Sequence, residues 1–310
     1  MKKKLGTLGL LLLVSIVAFS GCSFPGLGAS NRDESTISIG SMATSENQIL
    51  ANMVKLMIEH NTDEKVVMIN NLGTSTVAHN AMINKDINIS AGRYTGTDLS
   101  GTLHLEPEKD PKKAFEIVSK EFKERYQQEW LPSYGFANTY AFMVSKKTAD
   151  KYHLKKISDL KEVAGELTAG VDTSWMNRDG DGYKAFSDTY DVDFKKVYPM
   201  QIGLVYDAVA AEKMDVVLGY STDGRISSYD LVILEDDLKF FPPYDASIVI
   251  SDSLLQHKPE LKGILEKLSG KIDTETMQQL NYEADNNLLE PENVARNFLR
   301  EHNFFEGDEK

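Results

Sequence analysis

Apolar and polar residues alternate over 88–97, Asn-Ile-Ser-Ala-Gly-Arg-Tyr-Thr-Gly-Thr, and the alternation runs into glycine, arginine and tyrosine. A period of two predicts a strand, and its glycine-rich aromatic end predicts a loop mouth. Residues 215–222, Asp-Val-Val-Leu-Gly-Tyr-Ser-Thr, repeat the plan with a short β-branched run, a glycine, an aromatic and hydroxyl residues. Each run follows a helix-like segment ending in lysine, so both read as strands of α/β units. Open α/β sheets bind ligands outside the carboxyl ends of their strands. Two such ends, carrying Tyr94 and Tyr220, predict two half-sites that face each other.

The rest of the chain follows the same pattern. Residues 36–40 and 65–70 read as strands, and 46–58 as a helix with Ile49, Met53, Leu56 and Met57 on one stripe and Thr44 or Ser45 as its cap. A helix is predicted over 77–83 and another over 111–128. Leu131-Pro-Ser-Tyr-Gly-Phe136 breaks the pattern, strand and helix then alternate from 139 to 234, and Phe240-Phe-Pro-Pro-Tyr-Asp245 breaks it again. The tail offers one short strand, 248–250, and helices over 258–268, 274–283 and 291–301. Three helices with one strand do not close a sheet, so the tail is expected against the N-terminal half. This predicts an outer lobe of 36–133 and 243–310, an inserted lobe of 134–242, and a ligand cleft between them.

The amino terminus changes the address but not the fold. Three lysines precede an apolar run over 8–19, then Ser20, Gly21 and Cys22, the single cysteine of the 310 residues. Residues 1–21 read as an export signal. A cysteine at this place is similar to the bacterial lipobox, with Phe19 where that motif usually has leucine, so Cys22 is the expected lipidation site and 22–35 a tether. The protein is then extracytoplasmic and lipid-anchored to the cell membrane, without disulfides, and its core must carry its stability. A net charge of −13 disfavours nucleic acid and anionic membrane surfaces as partners of the folded part.

Enzyme chemistry finds little support. The six histidines are scattered, and Gly219-Tyr-Ser-Thr-Asp-Gly224 has the wrong spacing for a nucleophile elbow. Asn177-Arg-Asp-Gly-Asp-Gly182 matches early positions of a calcium loop, but its twelfth position is Asp188 rather than glutamate, so it reads as a surface turn. No metal and no cofactor are expected. Tyr94, Tyr140, Tyr220 and Tyr244 are more telling, since each sits at a strand end or a break, and Trp175 follows another strand. Converging phenol rings hold a cation by their quadrupoles, which suits a quaternary ammonium that cannot donate hydrogen bonds.

At these residues the chain resembles the solute-binding lipoproteins of Gram-positive osmoprotectant importers of the ATP-binding-cassette class, which take glycine betaine, carnitine and choline. The matching stretches are Arg93-Tyr-Thr-Gly-Thr97, Tyr134-Gly-Phe-Ala-Asn-Thr-Tyr-Ala-Phe142, Tyr198-Pro-Met-Gln-Ile-Gly-Leu-Val-Tyr-Asp-Ala208, Tyr220-Ser-Thr-Asp-Gly-Arg225 and Phe240-Phe-Pro-Pro-Tyr244. The resemblance implies an α/β, two-lobed periplasmic-binding-protein fold, type II-like, with two interdomain crossovers. It also implies a monomer that hands its ligand to a membrane permease, and an aromatic cage of Tyr94, Tyr140, Tyr220 and Tyr244. Thr97 stands where broad-specificity members have threonine and choline-restricted ones an acidic residue, so it is expected to hold the ligand's carboxylate or hydroxyl. Met42 stands where relatives carry a glutamine that touches the polar end, so either Ser41, Thr44 or Gln48 substitutes or recognition of the polar end differs. A ligand-sensing module or a hydrolase on the same scaffold is the alternative.

Overall fold

The computed structural model describes residues 35–177 and 182–305. Cys22, with the signal and tether expected around it, and positions 178–181 of the calcium-like turn lie outside them. Strand β1 (Ile37–Met42) leads to helix α1 (Ser45–Asn61), which Thr44 caps by accepting the Asn47 N–H. The cap satisfies one of the backbone donors that a helix start leaves without a partner. The stripe of Ile49, Met53, Leu56 and Met57 is buried, as its spacing requires. There follow β2 (Val66–Leu72), α2 (Ser75–Ile83), β3 (Ile89–Tyr94) and α3 (Thr95–Gly101).

Helix α4 (Pro111–Tyr126) has a proline in its first turn and Asp110 as cap. It stops short of the predicted 128 because Gln127 turns left-handed, at φ 53°, which frees β4 (Gln128–Trp130) to pair in a sheet. Beyond the first break come β5 (Tyr140–Ser145), α5 (Lys146–Tyr152), β6 (Thr168–Asp172), α6 (Thr173–Met176), α7 (Tyr183–Tyr190) and β7 (Lys196–Met200). Then come α8 (Ile202–Ala210), β8 (Val216–Tyr220), α9 (Arg225–Ser228) and β9 (Leu231–Ile233). Beyond the second break are β10 (Ala246–Ser251), α10 (Asp252–His257), α11 (Glu260–Glu266), α12 (Thr274–Asp285) and α13 (Pro291–Glu301). The helix expected over 258–268 begins only after Pro259, which donates no N–H and pushes Lys258 out of helical geometry.

The strands form two five-stranded sheets, ordered β2-β1-β3-β10-β4 and β7-β6-β8-β5-β9. The two are built alike: three parallel strands, an antiparallel fourth, and an edge strand antiparallel to that fourth. Strand β10, from the far end of the chain, slots between β3 and β4, with Ala246 opposite Tyr94. Chain therefore passes from one sheet to the other over 131–139 and returns over 234–245, and the two passages meet in an antiparallel bridge between Ala137 and Asp245. Each sheet has its own apolar layers. Ile49, Met53, Leu261, Val294 and Phe298 pack on one face of the first, where α11, α12 and α13 cover α1, and Leu99, Val118, Phe122 and Trp130 pack on the other. Phe142, Trp175 and Phe186 lie in the largest layer of the second. Full burial of such a side chain contributes about 1.5–3 kcal/mol, so each sheet has a core of its own.

Candidate functional site

A cavity of about 240 Å³ opens where the strand ends of both sheets meet the crossing segments. From the first sheet it is lined by Met42 at the end of β1, Thr44, Ser75 at the start of α2, Tyr94 at the end of β3 and Thr97 in α3. The second sheet supplies Tyr140 and Tyr220, and the crossing segments supply Asn138 and Tyr244. All four tyrosines singled out in the sequence thus reach one cavity, together with Thr97 and Met42. Ser41 does not line it. Its strand places Ser41 and Met42 on opposite faces, and the Ser41 hydroxyl is buried, donating to Asn70 Oδ1 at 3.0 Å. Gln48 also lies away from the lining, its amide donating to Asn71 Oδ1 and the Ala43 carbonyl.

Each tyrosine is held by a different device. Tyr140 and Tyr220 are direct cross-strand partners on β5 and β8, with ring centroids 5.3 Å apart. The Tyr140 hydroxyl donates to Asp172 Oδ2 at 3.0 Å, and its ring leans on Phe241 and Trp175. Tyr220 is 39% exposed, and its backbone is clamped by Tyr206, whose hydroxyl accepts the Tyr220 N–H at 2.6 Å and donates to the Tyr220 carbonyl at 3.2 Å. That approach requires Gly219, because a Cβ there would lie 2.7 Å from the Tyr206 hydroxyl. Tyr94 donates to Glu46 Oε1 at 2.5 Å and accepts from Asn47 Nδ2 at 3.1 Å. Burial, and then the Glu46 charge, push its pKa well above the ordinary phenol value, so it remains a neutral donor. Tyr244 lies against Gly96, where a Cβ would come within 2.5 Å of the Pro243 carbonyl and 3.2 Å of the Tyr244 ring. Thr95 fastens the same junction by donating its hydroxyl to the Pro243 carbonyl at 3.1 Å.

Two residues of the sequence stretches have other roles. Arg93 is fully buried, donates twice to Asp98 (Nε to Oδ2 at 2.9 Å), and lies over the Phe122 ring. Trp175 is likewise buried, in the core beneath Tyr140. Sequence reasoning missed Asn138, Ser75, Glu46 and Asp172. Asn138 donates to Glu46 Oε1 at 2.9 Å, and Glu46 Oε2 accepts from Asn281 on α12 at 3.3 Å. The only local signal was the position of Asp172 at a strand end, which matches that of Tyr94 and Tyr220. Helix α12 also donates to the loop after β8, from Gln278 to the Ser221 carbonyl at 2.7 Å and from Asn281 to that of Thr222 at 2.8 Å. Among the described residues there is no cluster of three or more metal-ligating side chains. The site offers aromatic faces, hydroxyls and amides, which is equipment for holding a small solute.

Residues 35–301 match the family described as the substrate binding domain of ABC-type glycine betaine transport system. The carnitine transport binding protein OpuCC of Listeria monocytogenes is 58% identical over 308 residues, 99% of each chain. The ergothioneine transport permease/ergothioneine binding protein EgtU of Helicobacter pylori is 33% identical over 271 residues, 86% of this chain and 48% of that one. Among solved structures, one described as a glycine betaine/carnitine/choline ABC transporter is 55% identical with a TM-score of 0.85, covering 87% of this chain and 100% of that chain.

Proposed function

The chain belongs to the family of substrate-binding domains of ABC-type glycine betaine transport systems, and on that premise we propose that it captures carnitine, glycine betaine and choline in a tyrosine cage and delivers them to a membrane importer for osmoprotection. The observation that carries this reading is the convergence of Tyr94, Tyr140, Tyr220 and Tyr244 on one small cavity. A desolvated cation–π contact is worth about 2 kcal/mol or more, and micromolar binding needs about 8.2 kcal/mol. Three or four rings with a few polar contacts reach that range when closure costs little.

The cage holds the trimethylammonium group, and Thr97 with the Met42 end of the cavity holds the carboxylate or hydroxyl. Thr44 and Ser75 are the hydroxyls that stand beside Met42, the Ser75 hydroxyl 3.6 Å from its sulfur. Threonine suits both a carboxylate and a hydroxyl because it donates and accepts. Residues 36–133 with 243–310 form one lobe and 134–242 the other, and the crossing segments act as the hinge. The closed arrangement gives the ligand contacts from both lobes, so binding shifts the population toward it. No bond of the ligand is made or broken. Cys22 carries the lipid that holds the monomer at the outer face of the cell membrane, within reach of its permease.

Calorimetric titration with glycine betaine, carnitine, choline and proline tests the reading. The trimethylammonium compounds bind and proline does not, and alanine at any one of the four tyrosines weakens binding at least tenfold. Unchanged affinity in two of those four variants would remove the cage.

A further inference from the structure

Two of the cage phenols end on buried carboxylates. Tyr94 donates to Glu46 and Tyr140 to Asp172, at 2.5 and 3.0 Å. Glu46 is 4% and Asp172 5% exposed, and neither lines the cavity. The other hydrogen bonds of the Glu46 carboxylate come from the neutral amides of Asn138 and Asn281. Among the described residues, neither carboxylate has a lysine, arginine or histidine within ion-pair distance. Asp98, buried one turn beyond Tyr94, is by contrast matched by Arg93. Buried carboxylates are ordinarily paired, because leaving water without a counter-charge is unfavourable. Here two buried acids share one arrangement, a phenol between the acid and the cavity, one contributed by α1 and the other by β6.

We propose that Glu46 and Asp172 supply the counter-charge for the bound cation, acting through the rings of Tyr94 and Tyr140, and that they set the preference of the cage for cations over neutral solutes of the same shape. The inference rests on the cage reading given above. A phenol donating to an anion gains electron density on its ring, and the field of the carboxylate adds to the quadrupole in a low-dielectric wall. The ring also keeps the acid out of contact with the ligand. Small metal cations, which require oxygen ligands directly, gain little from an acid held one ring away. A quaternary ammonium has no hydrogen bond to offer the acid and loses nothing by the separation. Glu46 and Asp172 are therefore positioning and polarising residues, and the rings alone touch the ligand.

The test is titration of the full-length protein in detergent with choline and with its uncharged isostere 3,3-dimethylbutan-1-ol, taken to saturation of the wild type. Glu46→Gln and Asp172→Asn keep the shape and remove the charge, exchanging one acceptor oxygen for an amide donor and leaving the other oxygen to accept from the phenol. Each is expected to weaken choline at least tenfold and the isostere less than threefold, and Tyr94→Phe and Tyr140→Phe are expected to lower the same ratio. Equal losses for both ligands would reduce the two acids to structural roles and overturn the inference, as would no loss of choline binding. If Glu46→Gln does not fold, the isosteric Asp172→Asn decides alone. A wild type that binds no trimethylammonium compound would instead remove the cage reading itself, and the inference with it.

Discussion

Tyr94 and Thr97 stand three residues apart, yet one is the last residue of a strand and the other lies in the first turn of the next helix. That junction lets a single loop present both an aromatic face and a hydroxyl to the same cavity. Thr97→Asp places a negative charge where the carboxylate of betaine or carnitine would lie and a strong acceptor where the hydroxyl of choline would lie. Competition between choline and betaine is expected to shift at least tenfold toward choline, and an unchanged ratio would remove the role given to Thr97. Gly96 is the second sensitive residue of the loop. A methyl there meets the Pro243 carbonyl at 2.5 Å, and backbone cannot swing aside as a flexible side chain can. Gly96→Ala is expected to displace Tyr244 and weaken solute binding on the order of tenfold, a loss of about 1.4 kcal/mol, while circular dichroism stays that of the wild type.

At the scale of elements, α2, β3 and α3 share a buried electrostatic knot of His79, Arg93 and Asp98. His79 on α2 packs edge-on against Phe122 and Tyr126, with ring centroids 5.6 and 4.5 Å away. Burial and then the nearby Arg93 charge lower its pKa from the ordinary 6.5 to about 4, against the opposing pull of Asp98. Below pH 6.5 the unfolded chain binds a proton at this histidine that the folded chain refuses. Its contribution to stability is therefore complete above 6.5 and is lost as pH falls toward about 4. Urea midpoints measured across that window are expected to drop with pH in the wild type and to drop less in His79→Gln. Parallel slopes would show that other groups carry the acid sensitivity. The α13 helix lies farther from the site. Removing Phe298, buried where α13 covers α1, is expected to cost about 3–5 kcal/mol of stability by opening a core cavity, read as a lowered urea midpoint.

For the molecule as a whole, two five-stranded sheets of the same plan are joined by two crossing segments, and the candidate cavity lies at that junction. A hinge there predicts a smaller radius of gyration when carnitine or choline is added. Small-angle scattering that shows no contraction would mean that the lobes do not move on binding. The proposed lipid anchor is tested separately. Cys22→Ala is expected to move the protein from the membrane fraction to the medium without altering its affinity for solute, since residue 22 precedes the first strand at Ile37.

Periodicity and turn chemistry by themselves determined the kinds of element, the α/β class, the two breaks and the tyrosines standing at strand ends, because these depend on residues close together in the chain. Element order, with a tail that does not close a sheet, pointed to two lobes, and the resemblance carried by five short stretches to the periplasmic-binding-protein fold and the family. Tertiary structure decided which way each residue of those stretches faces. Alternation places Arg93 and Tyr94 on opposite faces of β3, but both faces are buried, and only packing sends the arginine to Asp98 and the tyrosine to the cavity. The same holds for Ser41 and Met42 on β1. The acids behind the rings were beyond any local reading. Glu46 lies 48 residues from Tyr94 and 235 from Asn281, and Asp172 lies 32 from Tyr140. No periodic signal links positions so far apart, and only packing within each lobe brings them together, α1 against β3 and α12 for Glu46 and β6 in one sheet with β5 for Asp172.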